Sequence, residues 1–484
     1  MSATTVRDAL RRAAEGGGPG LVDAESGASW GWREVWSQAL RLAAWLREQQ
    51  AGSRVAVVLP NSVAHAMLDL ACALDGVAVC AFHPGTPPSE LVARATALGC
   101  ALFVSSPSLT EPLREAGGRV VTLAGDPGAN ALPAPLSDGQ LRAVGPETLF
   151  SLVQTSGTTG QSRACCITHR GALHSAQATA TAFGRTAATR YLTPLPLFHT
   201  NAQVVGLLTA VLTGGALIVG PRLTAERLWA AVERTHAEGL SLVPAMVHDL
   251  VQLDRPAPAC LRYAVTSSAA MPAGLHRAFQ RCTGIPLCSS YGLSEASGLV
   301  TFGYAGQPEG SVGKPAGCEL RLSSEGEVLL RGPVLFQGYE HDESATARTL
   351  RDGWLHTGDL GRLDDAGNLT LQGRLKDLIN RGGEKVAPLD VEAALLRHPA
   401  VREVCAFGVP DARLGEKVAV AVVFAQGQRV SAEVLRETCV ELLADHQLPE
   451  LWWEVDSLPR GPTQKVLRRE LPAHVGVRGR ALEE

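Results

Sequence analysis

Short apolar runs rich in β-branched residues recur through the first part of the chain, at 55–59, 77–82, 102–105, 120–123, 149–154, 216–219, 240–243 and 263–266. Between them lie Ala-, Leu- and Arg-rich stretches with helical spacing, such as 32–49 and 225–237. This alternation predicts βαβ units and largely parallel sheets, whose ligand-binding residues fall on loops after strands. From Gly317 the texture changes to short alternating runs (319–322, 327–330, 360–363, 369–371) broken by turn residues such as Asp364 to Asn368. That pattern predicts an antiparallel subdomain over about 317–373. From Lys376 onward the order is helix (389–396), strand (403–408), strand (417–424), helix (432–443), which predicts a small α+β domain. The expected division is 1–375 and 376–484.

Composition narrows the class. A chain of 484 residues, 45% hydrophobic, is long enough for two or more cores. Its net charge of −4 is too balanced for a nucleic acid or an anionic membrane as main partner. Its 11 cysteines show no Cys-x-x-Cys and no regular spacing, which suits thiols in a reducing, cytoplasmic setting. The amino terminus has mixed charges and no apolar segment of the kind a secretory signal needs. The uncharged stretch 201–221 has about the length of a membrane span, but Asn201, Gln203 and Gly214-Gly215 favour a buried helix, a tight turn and a buried strand. Only five of the 44 basic residues are lysine: Lys314, Lys376, Lys385, Lys417 and Lys465. A chain that otherwise uses arginine keeps lysine either by accident or where a compact ammonium is needed.

Chemistry first surfaces after the run that begins at Leu149, where Thr155, Ser156, Gly157, Thr158, Thr159 and Gly160 follow in sequence. Glycines let a backbone turn sharply and approach a ligand, and inward N–H groups then bind anions. The hydroxyls add donors for phosphate oxygens, so the loop predicts a nucleoside triphosphate ligand. It lacks the Gly-Lys-Ser/Thr of a Walker loop and the spacing of a dinucleotide fingerprint.

Five further segments follow in order: Pro196 to His199; Tyr291-Gly-Leu-Ser-Glu295; Gly353 to Asp359; Gly373-Arg-Leu-Lys-Asp377 with Asn380 to Glu384; and Pro459 to Lys465. Together with the loop they resemble the adenylate-forming superfamily of acyl-CoA synthetases, peptide-synthetase adenylation domains and luciferases, over nearly the whole chain. The resemblance implies a large amino-terminal domain of βαβ layers with a β-barrel-like subdomain, and a small mobile carboxyl-terminal domain. It implies ATP, Mg²⁺ and CoA as reaction partners. A carboxylate would be joined to AMP with loss of pyrophosphate and the acyl group then passed to a thiol. The protein's share of that chemistry is positioning and charge neutralisation.

The resemblance also assigns roles. Arg163 stands where the family places a lysine after the phosphate loop, and Ser162 and Ala164 replace its usual Pro and Gly. Glu295 matches the Mg²⁺-holding acid, with Ser294 keeping the hydroxyl of the usual threonine. Ser268, Ser290, Tyr291 and Gly292 would line the nucleotide, Asp359 would accept both ribose hydroxyls, and Arg374 would assist. Lys465 matches the lysine that bridges the acid and the α-phosphate, although Gln464 precedes it where glycine is usual. Lys376 occupies the hinge, and Gly382 and Gly383 would border the tunnel for the pantetheine arm.

His199, Thr200, Val243 and Ser267 are the expected acyl-pocket residues, with Asn201 and Met246 beside them. No acid follows His199 to pair a substrate ammonium, so the expected substrate lacks an α-amino group. Nor does a cation stand in that wall for a charged small diacid. The acceptor expected is CoA; a separate carrier protein, or a non-catalytic nucleotide- or acyl-binding relative, are the alternatives. No integral membrane segment is expected, and the assembly expected is a monomer or homodimer.

Overall fold

The computed structural model describes residues 4–155, 163–221, 223–267, 271–460 and 466–482. Ser156, Gly157, Thr158, Thr159, Gly160, Ser268 and Lys465 lie outside them.

Two sheets carry the amino-terminal part. A seven-stranded sheet runs in the order Leu287–Ser289, Tyr263–Thr266, Gly239–Leu242, Arg190–Thr193, Ala216–Val219, Gly20–Asp23, Ser29–Trp30. A six-stranded sheet runs Val120–Thr122, Phe103–Ser105, Arg54–Val58, Ala78–Ala81, Leu149–Thr155, Arg163–Thr168. Each is parallel except for its final pair. Strands buried on both faces need uninterrupted apolar residues, and the runs around Val57, Val79 and Leu217 supply them. Helices such as Trp32–Glu48 and Val63–Leu74 pack on the sheets, with Trp32, Met67 and Trp229 among the largest fully buried side chains.

The antiparallel region begins earlier than the alternating pattern indicates. Tyr291–Leu293, Gly298–Phe302 and Lys314–Pro315 form one sheet. Glu319–Leu322, Glu327–Arg331, Trp354–Leu363, Leu350–Arg351 and Leu369–Arg374 form another. The first sheet was unreadable because Gly298–Phe302 is buried on both faces and so does not alternate. After Ile379 a further six-stranded sheet begins, its centre the long pair Val401–Asp411 and Gly415–Phe424. Its two faces carry separate apolar clusters, one around Val420 and Leu435, the other around Phe407 and Leu471.

The uncharged stretch resolves into Asn201–Leu208 wound as a π-helix, the short helix Thr209–Thr213, a turn at Gly214 (φ 73°) and the buried strand Ala216–Val219. The π winding has no signature in the periodicity, and π segments concentrate at functional sites. Among the described residues no helix is long and apolar enough to cross a membrane. All 11 cysteines are free.

Candidate functional site

Neighbouring strands of the seven-stranded sheet end in candidate residues. Arg190–Thr193 leads to His199, Gly239–Leu242 to Val243, Tyr263–Thr266 to Ser267, and Leu287–Ser289 to Ser290 and Tyr291. Because these strands are parallel, their carboxyl ends open on one side, where such sheets receive ligands.

Asp359 and Arg374 face each other as cross-strand partners. The Arg374 Nε donates to Asp359 Oδ1 at 2.8 Å, and the Tyr291 hydroxyl donates to Asp359 Oδ2 at 2.6 Å. Asp359 is 7% exposed. Burial, then the charge of Asp359, push the Tyr291 phenol well up, so it remains a donor. Burial alone would lower Arg374, but Asp359 outweighs it and holds the guanidinium above its ordinary value. The carboxylate is thus oriented, and each oxygen keeps a lone pair for a further donor. Gly292 and Ser290 flank Tyr291; the Ser290 hydroxyl accepts from the Gly303 amide at 3.0 Å.

Glu295 sits in a single helical turn, Ser294–Ala296, closed by Ser297 in a left-handed conformation (φ 56°). Such backbone is costly for a non-glycine residue and clusters at functional sites. The turn is clamped twice. The Phe336 amide donates to the Glu295 carbonyl at 2.9 Å, and the Tyr339 hydroxyl donates to Glu295 Oε1 at 2.8 Å. Burial and the Glu295 charge push the Tyr339 phenol up, which keeps it a donor.

Arg163 opens the strand after the phosphate loop. Its Nε donates to Asp342 Oδ2 at 2.9 Å, and its guanidinium lies 5.5 Å from the Tyr339 ring centroid. The Ala345 amide, then Arg163, hold Asp342 below its usual range. Tyr339 therefore joins the arginine beside the phosphate loop to the candidate metal carboxylate. Beneath them Arg54 pairs with Glu340 at 2.9 Å, and the Cys166 thiol donates to Glu340 at 3.1 Å. The sequence reading missed Tyr339, Asp342 and Glu340. The signal was the Gly338-Tyr339 pair before Asp342, an acidic cap three residues ahead of Ala345 in the helix Glu343–Thr349.

The acyl-side candidates also gather. Thr200 precedes the π-helix, and the Val243 carbonyl accepts from Met246 and Val247 at the head of Pro244–Leu253. Asn201 Nδ2 donates to Ser267 Oγ at 3.0 Å. His199 lies 4.5 Å from Phe198 between ring centroids, and Phe198 lies 5.2 Å from His83. Burial and His83 push His199 down to about 4, which favours its neutral form.

Lys376 occupies the turn Leu375–Asp377 between the antiparallel region and the last sheet. Gly382 and Gly383, with φ of 64° and 92°, form the two-residue turn of the hairpin Ile379–Arg381 and Glu384–Val386. That turn needs positive φ at both positions, which accounts for the glycine pair without a ligand. Arg460 and Val466, on either side of the segment that ends in Lys465, form an antiparallel bridge. Arg468 is anchored to the Ala406 carbonyl at 2.8 Å, Glu392 at 2.5 Å and Asp377 at 3.4 Å.

Among the described residues no three His, Cys, Asp or Glu side chains gather as a metal cage. One oriented carboxylate, Glu295, fits a Mg²⁺ ion that keeps waters and takes its other ligands from phosphate oxygens.

With this geometry in view, the relatives can be read. The AMP-binding enzyme family matches residues 10–340, and its carboxyl-terminal domain family matches 390–465. A sulfoacetate–CoA ligase from Cupriavidus necator is 32% identical over 88% of each chain. A probable CoA ligase from Humulus lupulus is 30% identical over 87% of each. The o-succinylbenzoate-CoA synthetase of Bacillus subtilis, solved with its acyl-adenylate, superposes with a TM-score of 0.86 at 26% identity, over 98% of this chain and 99% of that one. The chain belongs to the AMP-binding enzyme family.

Proposed function

We propose that this chain is an ATP-dependent acid–thiol ligase. It joins a carboxylic acid without an α-amino group to AMP and transfers the acyl group to CoA. In the first step a carboxylate oxygen attacks the α-phosphorus of ATP, the bond to the β-phosphate breaks, and pyrophosphate leaves. In the second the CoA sulfur attacks the acyl carbon, the bond to the AMP oxygen breaks, and the thiol proton passes to solvent.

The observation that carries this reading is the buried Asp359 carboxylate, oriented by its cross-strand partner Arg374 and by Tyr291, which follows the parallel strand Leu287–Ser289. It suits capture of the ribose hydroxyls. Ser268, Ser290, Gly292 and the loop from Thr155 to Gly160 complete the nucleotide site in this assignment, and Arg163 meets the phosphates. Glu295, braced by Tyr339 and followed in role by Ser294, would hold Mg²⁺, which neutralises phosphate charge when bound. Lys465 offsets the repulsion between acid and α-phosphate. The domains are assigned as 1–375 and 376–484, turning about Lys376 so that Gly382 and Gly383 approach the pantetheine arm. His199, Thr200, Val243 and Ser267 line the acid. Relatives named as CoA ligases, and a neighbour solved with ATP and magnesium, support the reaction. The free cysteines support a reducing, cytoplasmic setting, and a monomer or homodimer would suffice.

The test is pyrophosphate exchange over a panel of acids, followed by thioester formation with CoA or with a phosphopantetheinylated carrier. Exchange with an acid and transfer to CoA is the expected result. Transfer to the carrier alone would replace the second step, and no exchange with any acid would overturn the proposal.

A further inference from the structure

A buried cation stands behind the acid-binding wall. Arg185 is 6% exposed, yet among the described residues none of its contacts is a carboxylate. Its guanidinium lies 3.4 Å from the Tyr191 ring centroid, its Nε donates to the Tyr263 hydroxyl at 3.1 Å, and its Nη1 donates to the Val205 carbonyl of the π-helix at 2.6 Å. Its Nη2 has no hydrogen-bond partner among the described residues. Taking a guanidinium out of water is costly, and here aromatic faces, a phenol and a carbonyl offset that cost in place of a carboxylate.

Hydrogen bonds lead outward from that cation. Tyr191 Oη lies 2.7 Å from Ser241 Oγ, Ser241 Oγ lies 3.3 Å from Asn201 Oδ1, and Asn201 Nδ2 lies 3.0 Å from Ser267 Oγ. Their proton directions follow from donor counting. The Asn201 carbonyl only accepts, so Ser241 spends its single proton there, and Tyr191 must donate to Ser241. The Asn201 amide donates to Ser267. With the amide oriented so, every proton points away from Arg185. At the outer end the Ser267 hydroxyl and the second N–H of Asn201 are donors with no acceptor among the described residues. The inner end is closed: Tyr191 is 2% exposed, and a Cβ on Gly239 would meet Tyr191 and Tyr263 at 2.7 Å. Asn201, by contrast, is half-buried.

We propose that Asn201 and Ser267 select acids that carry a hydrogen-bond acceptor oxygen (a keto, carboxylate or sulfonate oxygen) away from the reacting carboxyl group, and that Tyr191 and Ser241 are positioning residues holding this donor pair. The inference rests on the acyl-site assignment above. A plain alkyl acid would leave both donors unpaired, which is the kind of mismatch that discriminates strongly.

The test compares exchange kinetics for oxo acids of increasing length with acids that carry a methyl branch in place of the oxo group, alongside unbranched alkyl acids. One oxo acid should exceed its methyl counterpart by about tenfold or more in kcat/KM. Tyr191→Phe, Ser241→Ala and Asn201→Leu should each collapse that ratio through the KM for the acid while the KM for ATP holds. Ser241→Thr, which keeps the hydroxyl, should retain the ratio. Circular dichroism and melting of each variant separate loss of fold from loss of selection. Equal or better use of the methyl acids by the wild-type chain, or an unchanged ratio in the folded variants, would overturn the inference and leave the ligase reading standing. Absence of exchange with every acid would sink both.

Discussion

At the residue scale, three side chains make distinct demands. Lys465 is assigned to the adenylation half-reaction alone, so Lys465→Ala should cut pyrophosphate exchange by roughly a hundredfold or more, a loss typical of removing a charge-stabilising donor. Thioester formation from supplied acyl-AMP should stay within a few-fold, and an equal loss in both steps would refute the division of labour. Tyr339→Phe deletes the hydroxyl that orients Glu295. Calorimetric titration of ATP should then need more Mg²⁺ to reach the same affinity, with little change in metal-free ATP binding. A merely structural Tyr339 would weaken both alike. Tyr291, Asp359 and Arg374 were legible as site residues because the motifs around them are compact in sequence. Their mutual hydrogen bonds were not, since Tyr291 and Asp359 are separated by 68 positions.

At the scale of elements, the turn Leu375–Asp377 joins the antiparallel region to the last sheet. Lys376→Pro fixes φ there and should slow thioester formation more than adenylation, because only the second step follows the rotation. Stopped-flow measurement of the two half-reactions decides it; parallel slowing would argue against a hinge. Gly382 and Gly383 belong to a hairpin turn at positive φ, so Gly383→Ala should cost about 1 kcal/mol in chemical denaturation whether or not CoA passes nearby. Most elements were readable from period and turn residues. The π-helix Asn201–Leu208 was not, because its winding is set by what packs on it, including the Arg185 bond to Val205.

Over the whole molecule, buried histidines couple folding to pH. His65 and His169, almost inaccessible, are both pushed by burial down to about 4. His169 Nδ1 accepts from the Val6 amide at 3.1 Å, which fixes the neutral form. The unfolded chain protonates these imidazoles near their ordinary value of about 6.5 while the folded chain does not. Their contribution is therefore complete above that value and is lost as pH falls from about 6.5 toward 4. Asp69, beside His65 and Gln203, works the other way: burial raises its carboxyl, so its folded form keeps a proton that the unfolded chain releases. Three imidazoles, His199 with them, against the one strongly raised carboxyl leave a net fall in stability on acidification. Urea midpoints should drop between pH 7 and pH 5, and His169→Gln should flatten the dependence. A midpoint that rises on acidification would contradict it.

By itself the sequence determined the two-part architecture, the parallel strands and the order of the chemical segments, because hydrophobic period, turn residues and short motifs are local properties of a chain. It also determined that no acid follows His199 to receive an ammonium. Arg185 reads as one more surface arginine until the π-helix Asn201–Leu208 and the strands of Tyr191 and Tyr263 close around it. Only the tertiary structure decided which hydroxyl meets which amide, how Tyr339 reaches Glu295, and where a buried charge stands. Those contacts join residues far apart along the chain, and their energy depends on burial, which exists only once the sheets have packed.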